Sequence, residues 1–175
     1  VIQNDATLRI SQDNYTGQKT AWPEMVSNII TGTGDLIKYG DKTVALTATN
    51  TYTGATIVNE GTLELGYYGG TSGSINNSSQ IQLVNASSNL TVYRDDDVTV
   101  SQNISGSGSV TKMGGNTLTL SRPTTYAGAT DTQGGTPVGH GSIFGMGATS
   151  PAPGTRSAVQ RTTHGSLGRA RSGAG

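Results

Sequence analysis

The chain has 175 residues, no cysteine, 26 glycines, 5% aromatic residues and a formal net charge of zero at pH 7. Without cysteine there are no disulfides, thiolate metal sites or cysteine nucleophiles. The neutral total divides unevenly, with seven Lys/Arg against ten Asp/Glu in residues 1–130 and four Arg against Asp131 beyond, so the longer part carries no basic footprint for nucleic acid.

Few aromatics and many glycines suit a thin interior of Val, Leu and Ile, with corners taken by Gly, Asn and Ser. In residues 1–29 the first strand pattern is Leu8/Ile10, and Trp22-Pro23 interrupts any further strand there because proline cannot donate to a strand ladder. Trp22 reads as a cap on the exposed end of a core rather than as a ligand platform. No charged segment followed by an apolar run precedes this region, and no apolar stretch of about 20 residues comes after it to span a membrane. The sequence is expected to be a fragment of a longer product.

Residues 30–66 form the unit that organises the chain. Thr43-Val-Ala-Leu-Thr47 and Thr62-Leu-Glu-Leu65 alternate apolar with small or polar residues, as half-buried strands do. Gly32, Gly34, Gly40, Asn50, Gly54 and Gly61 supply turn residues around them. Residues 67–80, YYGGTSGSINNSSQ, then connect to a strand at Ile81/Leu83. Within this connection Gly69–Gly73 is similar to a glycine-rich calcium turn but lacks the Asp that would bind the ion, so no metal is expected.

Arg94-Asp95-Asp96-Asp97 lies between strand patterns at Leu90/Val92 and Val98/Val100. Three adjacent carboxylates could bind a hard cation or provide the acid and base of a polysaccharide-cleaving enzyme. Successive strand residues point to opposite faces, so the run cannot converge unless the backbone turns there, and a solvated turn is the expected arrangement. His140 and His164 are far along the chain, and no Gly-x-Ser-x-Gly elbow is present. No catalytic, cofactor or metal residue is assigned, and no cofactor is expected. The Asn-x-Ser/Thr triplets at Asn76, Asn77, Asn85, Asn89 and Asn103 follow from composition.

A shift of 74 positions lays Ile104-Ser-Gly-Ser-Gly108 over Ile30-Thr-Gly-Thr-Gly34, and Lys112-Met-Gly114 over Lys38-Tyr-Gly40. It also lays Thr125–Thr130 over Thr51–Thr56, and a shift of 37 matches the segment around Tyr15. The pairs at Val44, Leu63, Ile81, Val98 and Leu118 recur at a mean of 18.5 residues. A rung of 18 to 20 residues predicts an all-β parallel β-helix in which those five side chains stack in one inward column, with Leu90/Val92 on a second face. About seven rungs would form a rod roughly 30 to 35 Å long. From Asp131 the pattern fails, and Pro137 stands where Leu63 stood. The division expected is a repeat domain at 1–130 and a Gly/Ala/Ser/Pro/Arg-rich tail at 131–175, disordered or out of frame.

The pattern Gly32-x-Gly34-x-Leu36-x-Lys38-x-Gly40, Asn50–Thr56 and Gly61–Gly66, with its second copy from Gly106 to Thr130, resembles the passenger-associated repeat of bacterial autotransporters. This resemblance implies a right-handed β-helical passenger carried across the outer membrane by a C-terminal β-barrel and displayed at the cell surface. Such a segment is expected to be a stalk or adhesin scaffold and not an enzyme, meeting cell-surface glycans or proteins. A carbohydrate-active β-helix using Asp95–Asp97 is the alternative.

Overall fold

The computed structural model describes residues 1–11, 23–68 and 70–139, whose regular structure is entirely β. The backbone winds around three sides, laying one short strand on a side before turning. The first rung holds β1 (Ile2–Gln3), β2 (Thr7–Ser11) and β3 (Glu24–Val26), and the second holds β4 (Ile30–Thr31), β5 (Asp35–Tyr39) and β6 (Thr43–Leu46). The third carries β7 (Thr56–Val58) and β8 (Gly61–Gly66), the fourth β9 (Gln80–Leu83) and β10 (Ser88–Tyr93). The fifth is β11 (Val98–Val100), β12 (Asn103–Gly106) and β13 (Ser109–Met113), the sixth β14 (Thr117–Leu120), β15 (Thr125–Tyr126) and β16 (Thr130–Thr132). A seventh begins with β17 (Thr136–Gly139).

Every strand pair is parallel, and the sheets run from rung to rung. Side one is β2-β5-β7-β9-β12-β15 and side two is β3-β6-β8-β10-β13-β16. Side three has β1-β4 at one end and β11-β14-β17 at the other. Between these, the Thr51 N–H donates to Ile30 O at 2.8 Å and the Asn50 N–H to Ser74 O at 2.9 Å, carrying the ladder across. This is a parallel β-helix. Six strands about 4.8 Å apart give sides one and two a height of roughly 24 Å, and the seventh rung begun by β17 brings the described stack to roughly 29 Å.

The interior is built of aligned columns. Val44, Leu63, Leu90 and Val110 pair in succession on side two, and Leu8, Leu36, Thr56, Ile81 and Ile104 on side one. Leu36, Leu63, Ile81, Leu90 and Val110 are fully buried. The expected single column is therefore corrected: Val44 and Leu63 share a side, Ile81 lies on another, and Val98 and Leu118 lie on the third. Leu90, expected on a different face from that column, continues the run of Val44 and Leu63. Unequal connections are the reason. From Val44 to Leu63 is 19 residues, but the loop after β8 stretches the next step, Leu63 to Leu90, to 27, so an averaged period steps from side to side.

The boundary expected at Thr130 is also corrected. β16 begins there, and β17 pairs with β14 so that Pro137 stands opposite Leu118. Proline is tolerated because β17 has β14 as its partner and no following strand among the described residues, which makes it an edge. Residues 140–175, with His140 and His164, lie outside the described residues, as do Trp22 and the segment around Tyr15.

Polar side chains close the corners. Lys38 and Lys112 are fully buried, placed inward by their period-two spacing from Leu36 and Val110. Lys38 Nζ donates to the carbonyls of Tyr39 (2.9 Å), Gly40 and Glu60 (3.1 Å). Lys112 Nζ donates to Met113 O (2.6 Å), Gly114 O (2.8 Å) and Asn116 Oδ1 (2.5 Å). Gly40 and Gly114 turn these corners with φ of 79° and 81°, in the left-handed region that side chains disfavour. Similarly, the Tyr52 hydroxyl bonds Thr56 Oγ1 at 2.6 Å and the Tyr126 hydroxyl bonds Thr130 Oγ1 at 2.5 Å.

Candidate functional site

Asp95–Asp97 occupy the corner between β10 and β11, where Asp96 and Asp97 are engaged through their carboxylates and Asp95 through its backbone. Arg94 holds both oxygens of Asp96, at 2.8 and 2.5 Å, and donates to the carbonyls of Thr71 (2.6 Å) and Gly73 (3.2 Å). Its hydrogen bonds keep the Asp96 carboxyl below the usual range. Asp97 Oδ1 accepts the Thr117 N–H at 2.7 Å, and the Asp95 N–H donates to Gly70 O at 3.0 Å. The three residues therefore tie the loop after β8 and the following rung to this corner. Among the described residues no group of three or more His, Cys, Asp or Glu is placed to hold a metal ion. Carbonyls of the glycine-rich turn at Thr71 and Gly73 face the Arg94 guanidinium instead.

A different arrangement lies on the outer surface of side two. Leu63 and Leu65 point inward, so Glu64 between them points out, yet it is only 7% exposed. Across the ladder it stands beside Ala45 on β6 and Thr91 on β10. Its Oε1 is buried without a hydrogen-bond partner. With Pro23, Tyr67, Tyr68, Tyr93 and Met113 it lines a groove of about 410 Å³. Tyr93 ends β10 in register with Gly66 and Met113. Gly66, at φ 88°, turns the chain out of β8, and a Cβ there would lie 2.5 Å from Arg94 Cγ and Tyr93 O. Tyr67 and Tyr68 follow at once, and the rings of Tyr68 and Tyr93 meet edge to face, centroids 5.7 Å apart at 85°.

Burial sets the electrostatics of this groove. Removed from water, the Glu64 carboxyl is pushed up to about 7. The Tyr93 phenol is raised as well, first by desolvation and then by Tyr68, Asp95, Glu64 and Tyr67. The site thus offers aromatic surface, a thioether and one acid able to change charge near neutrality. Sequence reasoning missed all of it, treating Glu64 as the outward partner of two leucines and Tyr67-Tyr68 as a connection. The available signal was two adjacent tyrosines in a chain with seven.

Residues 36–65 and 110–136 each match the family described as passenger-associated-transport-repeat. The chain carries autotransporter passenger repeats. No curated protein and no solved structure matches it. The two passenger repeats occupy different sides of the prism: Lys38 is on β5 of side one, whereas Lys112 is on β13 of side two. Both lysines nevertheless close the same kind of corner, so the passenger repeat specifies strand, corner and strand rather than a whole rung. The groove is separate from these devices. Tyr67, Tyr68 and Tyr93 lie outside the matched stretches, while Glu64 and Met113 stand at unspecified positions of Gly-Thr-Leu-x-Leu-Gly and Lys-x-Gly.

Proposed function

We propose that this segment is a rigid scaffold of an autotransporter passenger, displayed outside the bacterial cell and joined in its parent to an outer-membrane β-barrel. The observation that carries this reading is the stack of parallel rungs whose corners are closed by the repeat's own residues. A stack of this kind conveys length and surface without needing a positioned catalytic group. Its role is that of a stalk or adhesin body, its partners are glycans or proteins of other surfaces, and it is not an enzyme. The bonds that occupy Asp96 and Asp97 weigh against the alternative of a carbohydrate-cleaving centre at Asp95–Asp97.

The test uses a full-length parent displayed on cells. Replacing Asp95, Asp96 and Asp97 together by Asn is expected to lower stability by about 1 kcal/mol, through the weakened Arg94 pair and the Thr117 bond, while cell adhesion persists. Deleting two whole rungs is expected to reduce adhesion by shortening the reach of the scaffold. Loss of a glycan-cleaving activity in the triple variant would overturn the scaffold reading.

A further inference from the structure

We propose that the groove over Glu64 binds a methylated ammonium cation of the choline class. The argument rests on an unusual pairing of a buried acid with rings. Glu64 lines the groove from an outward-facing position while more than nine-tenths buried, and its Oε1 is buried with no hydrogen-bond partner. A native structure rarely leaves such an atom unanswered, because the desolvated acceptor costs free energy that a ligand can recover.

The lining decides which ligand fits. Among the described lining residues Glu64 is the sole charged group, and the others are Pro23, Met113 and three tyrosines. A hard metal ion needs six or more oxygen ligands, and the described lining offers a single carboxylate. A primary ammonium needs several acceptors for its N–H groups, whereas a saccharide needs a matching set of donors and acceptors for its hydroxyls. A quaternary ammonium has no N–H to satisfy. It needs a countercharge and the electron-rich faces of aromatic rings, with apolar surface for its methyl groups. Tyr68 and Tyr93, standing at 85° to each other, form two walls of such a cage. Met113 and Pro23 add apolar contact, and Glu64 supplies the charge at the floor.

Among the described residues Glu64 is the acid of the groove: Ala45 from β6 and Thr91 from β10 stand beside it, and Tyr93 from β10, Met113 from β13, and Tyr67 and Tyr68 from the loop after β8 line the groove with it. Asp95 stands near Tyr93, just beyond the end of β10. Because the Glu64 carboxyl takes up its proton near pH 7, cation binding is expected to weaken as the solution is acidified through that range. A bound cation in turn draws the carboxyl toward its ionised form.

The experiment titrates the full chain with tetramethylammonium and choline chlorides, followed by calorimetry and by tyrosine ring resonances. The uncharged isostere 3,3-dimethylbutanol serves as the comparison. Choline is expected to bind roughly tenfold more tightly than the isostere at pH 8, with that advantage lost at pH 5.5. Glu64→Gln is expected to abolish the same advantage at pH 8, and Tyr68→Ala, at an exposed ring, to weaken both ligands several-fold. Equal binding of choline and its isostere by the unaltered chain would overturn the proposal, as would saturation of the tyrosine resonances by neutral oligosaccharides but not by choline. Vesicles then identify the source. Sedimentation with phosphatidylcholine vesicles above that with phosphatidylglycerol vesicles assigns the cation to a lipid headgroup, and equal sedimentation assigns it to a soluble choline compound.

Discussion

Glu64 illustrates how one residue can be read correctly in direction and wrongly in environment. The alternation Leu63-Glu64-Leu65 places it outward, and it does point outward. Its environment is a groove that Tyr67, Tyr68 and Tyr93 also line; Tyr93 arrives there through its register with Gly66, and no local pattern encodes that register. The stability consequence has a definite sign. A carboxyl raised from 4.5 to about 7 binds a proton more readily folded than unfolded. Its contribution to stability is fully present below pH 4.5 and is lost as the pH rises through about 7. Glu64→Gln is therefore expected to stabilise the fold at pH 8 by on the order of 1 to 2 kcal/mol, allowing for solvent that reaches the groove, and to change it little at pH 4.5. Urea denaturation at the two pH values measures this directly, and an equal effect at both would contradict it.

At the scale of elements, strands were legible and their sides were not. Each apolar pair expected at Val44, Leu63, Ile81, Leu90, Val98 and Leu118 begins or lies within a strand, because period-two alternation is a local property. Assignment to a side depends on the length of every preceding connection, and the long loop after β8 displaced it. The buried lysines sit between these cases. Leu36-x-Lys38 spacing points the side chain inward, but lysine is seldom buried without partners, and those partners are corner carbonyls that appear only once the backbone turns. Lys112→Met keeps the apolar stem while leaving Met113 O, Gly114 O and Asn116 Oδ1 without their donor. It is expected to cost about 2 to 4 kcal/mol. Lys42→Met, which removes an exposed pair with Asp41 at 2.9 Å, is expected to cost less than about 0.5 kcal/mol. Chemical denaturation of both variants supplies the comparison, and similar losses would show that the buried corner contributes nothing special.

For the molecule as a whole, each rung is covered by the next, so the ends matter most. Leu118 and Leu120 are 1% and 3% exposed, with β17 laid along their strand. A chain ending after residue 130 is expected to be less stable than one ending after residue 139 by on the order of 2 kcal/mol, as these leucines lose cover. Thermal melts of the two chains compare them, and coincident transitions would place the true end of the core at Thr130. The passenger repeat also carries a geometric rule. Three rungs above Leu36 on side one lies Ile104, but the residue 74 positions from Leu36 is Val110, one side further round. Duplicating a block of this length therefore acts as a screw of three full revolutions and a third. Any loop or binding surface borne by successive blocks would emerge at a new azimuth each time, returning to its starting direction only with every third block. Simple lengthening of such a rod distributes its contacts all around the axis.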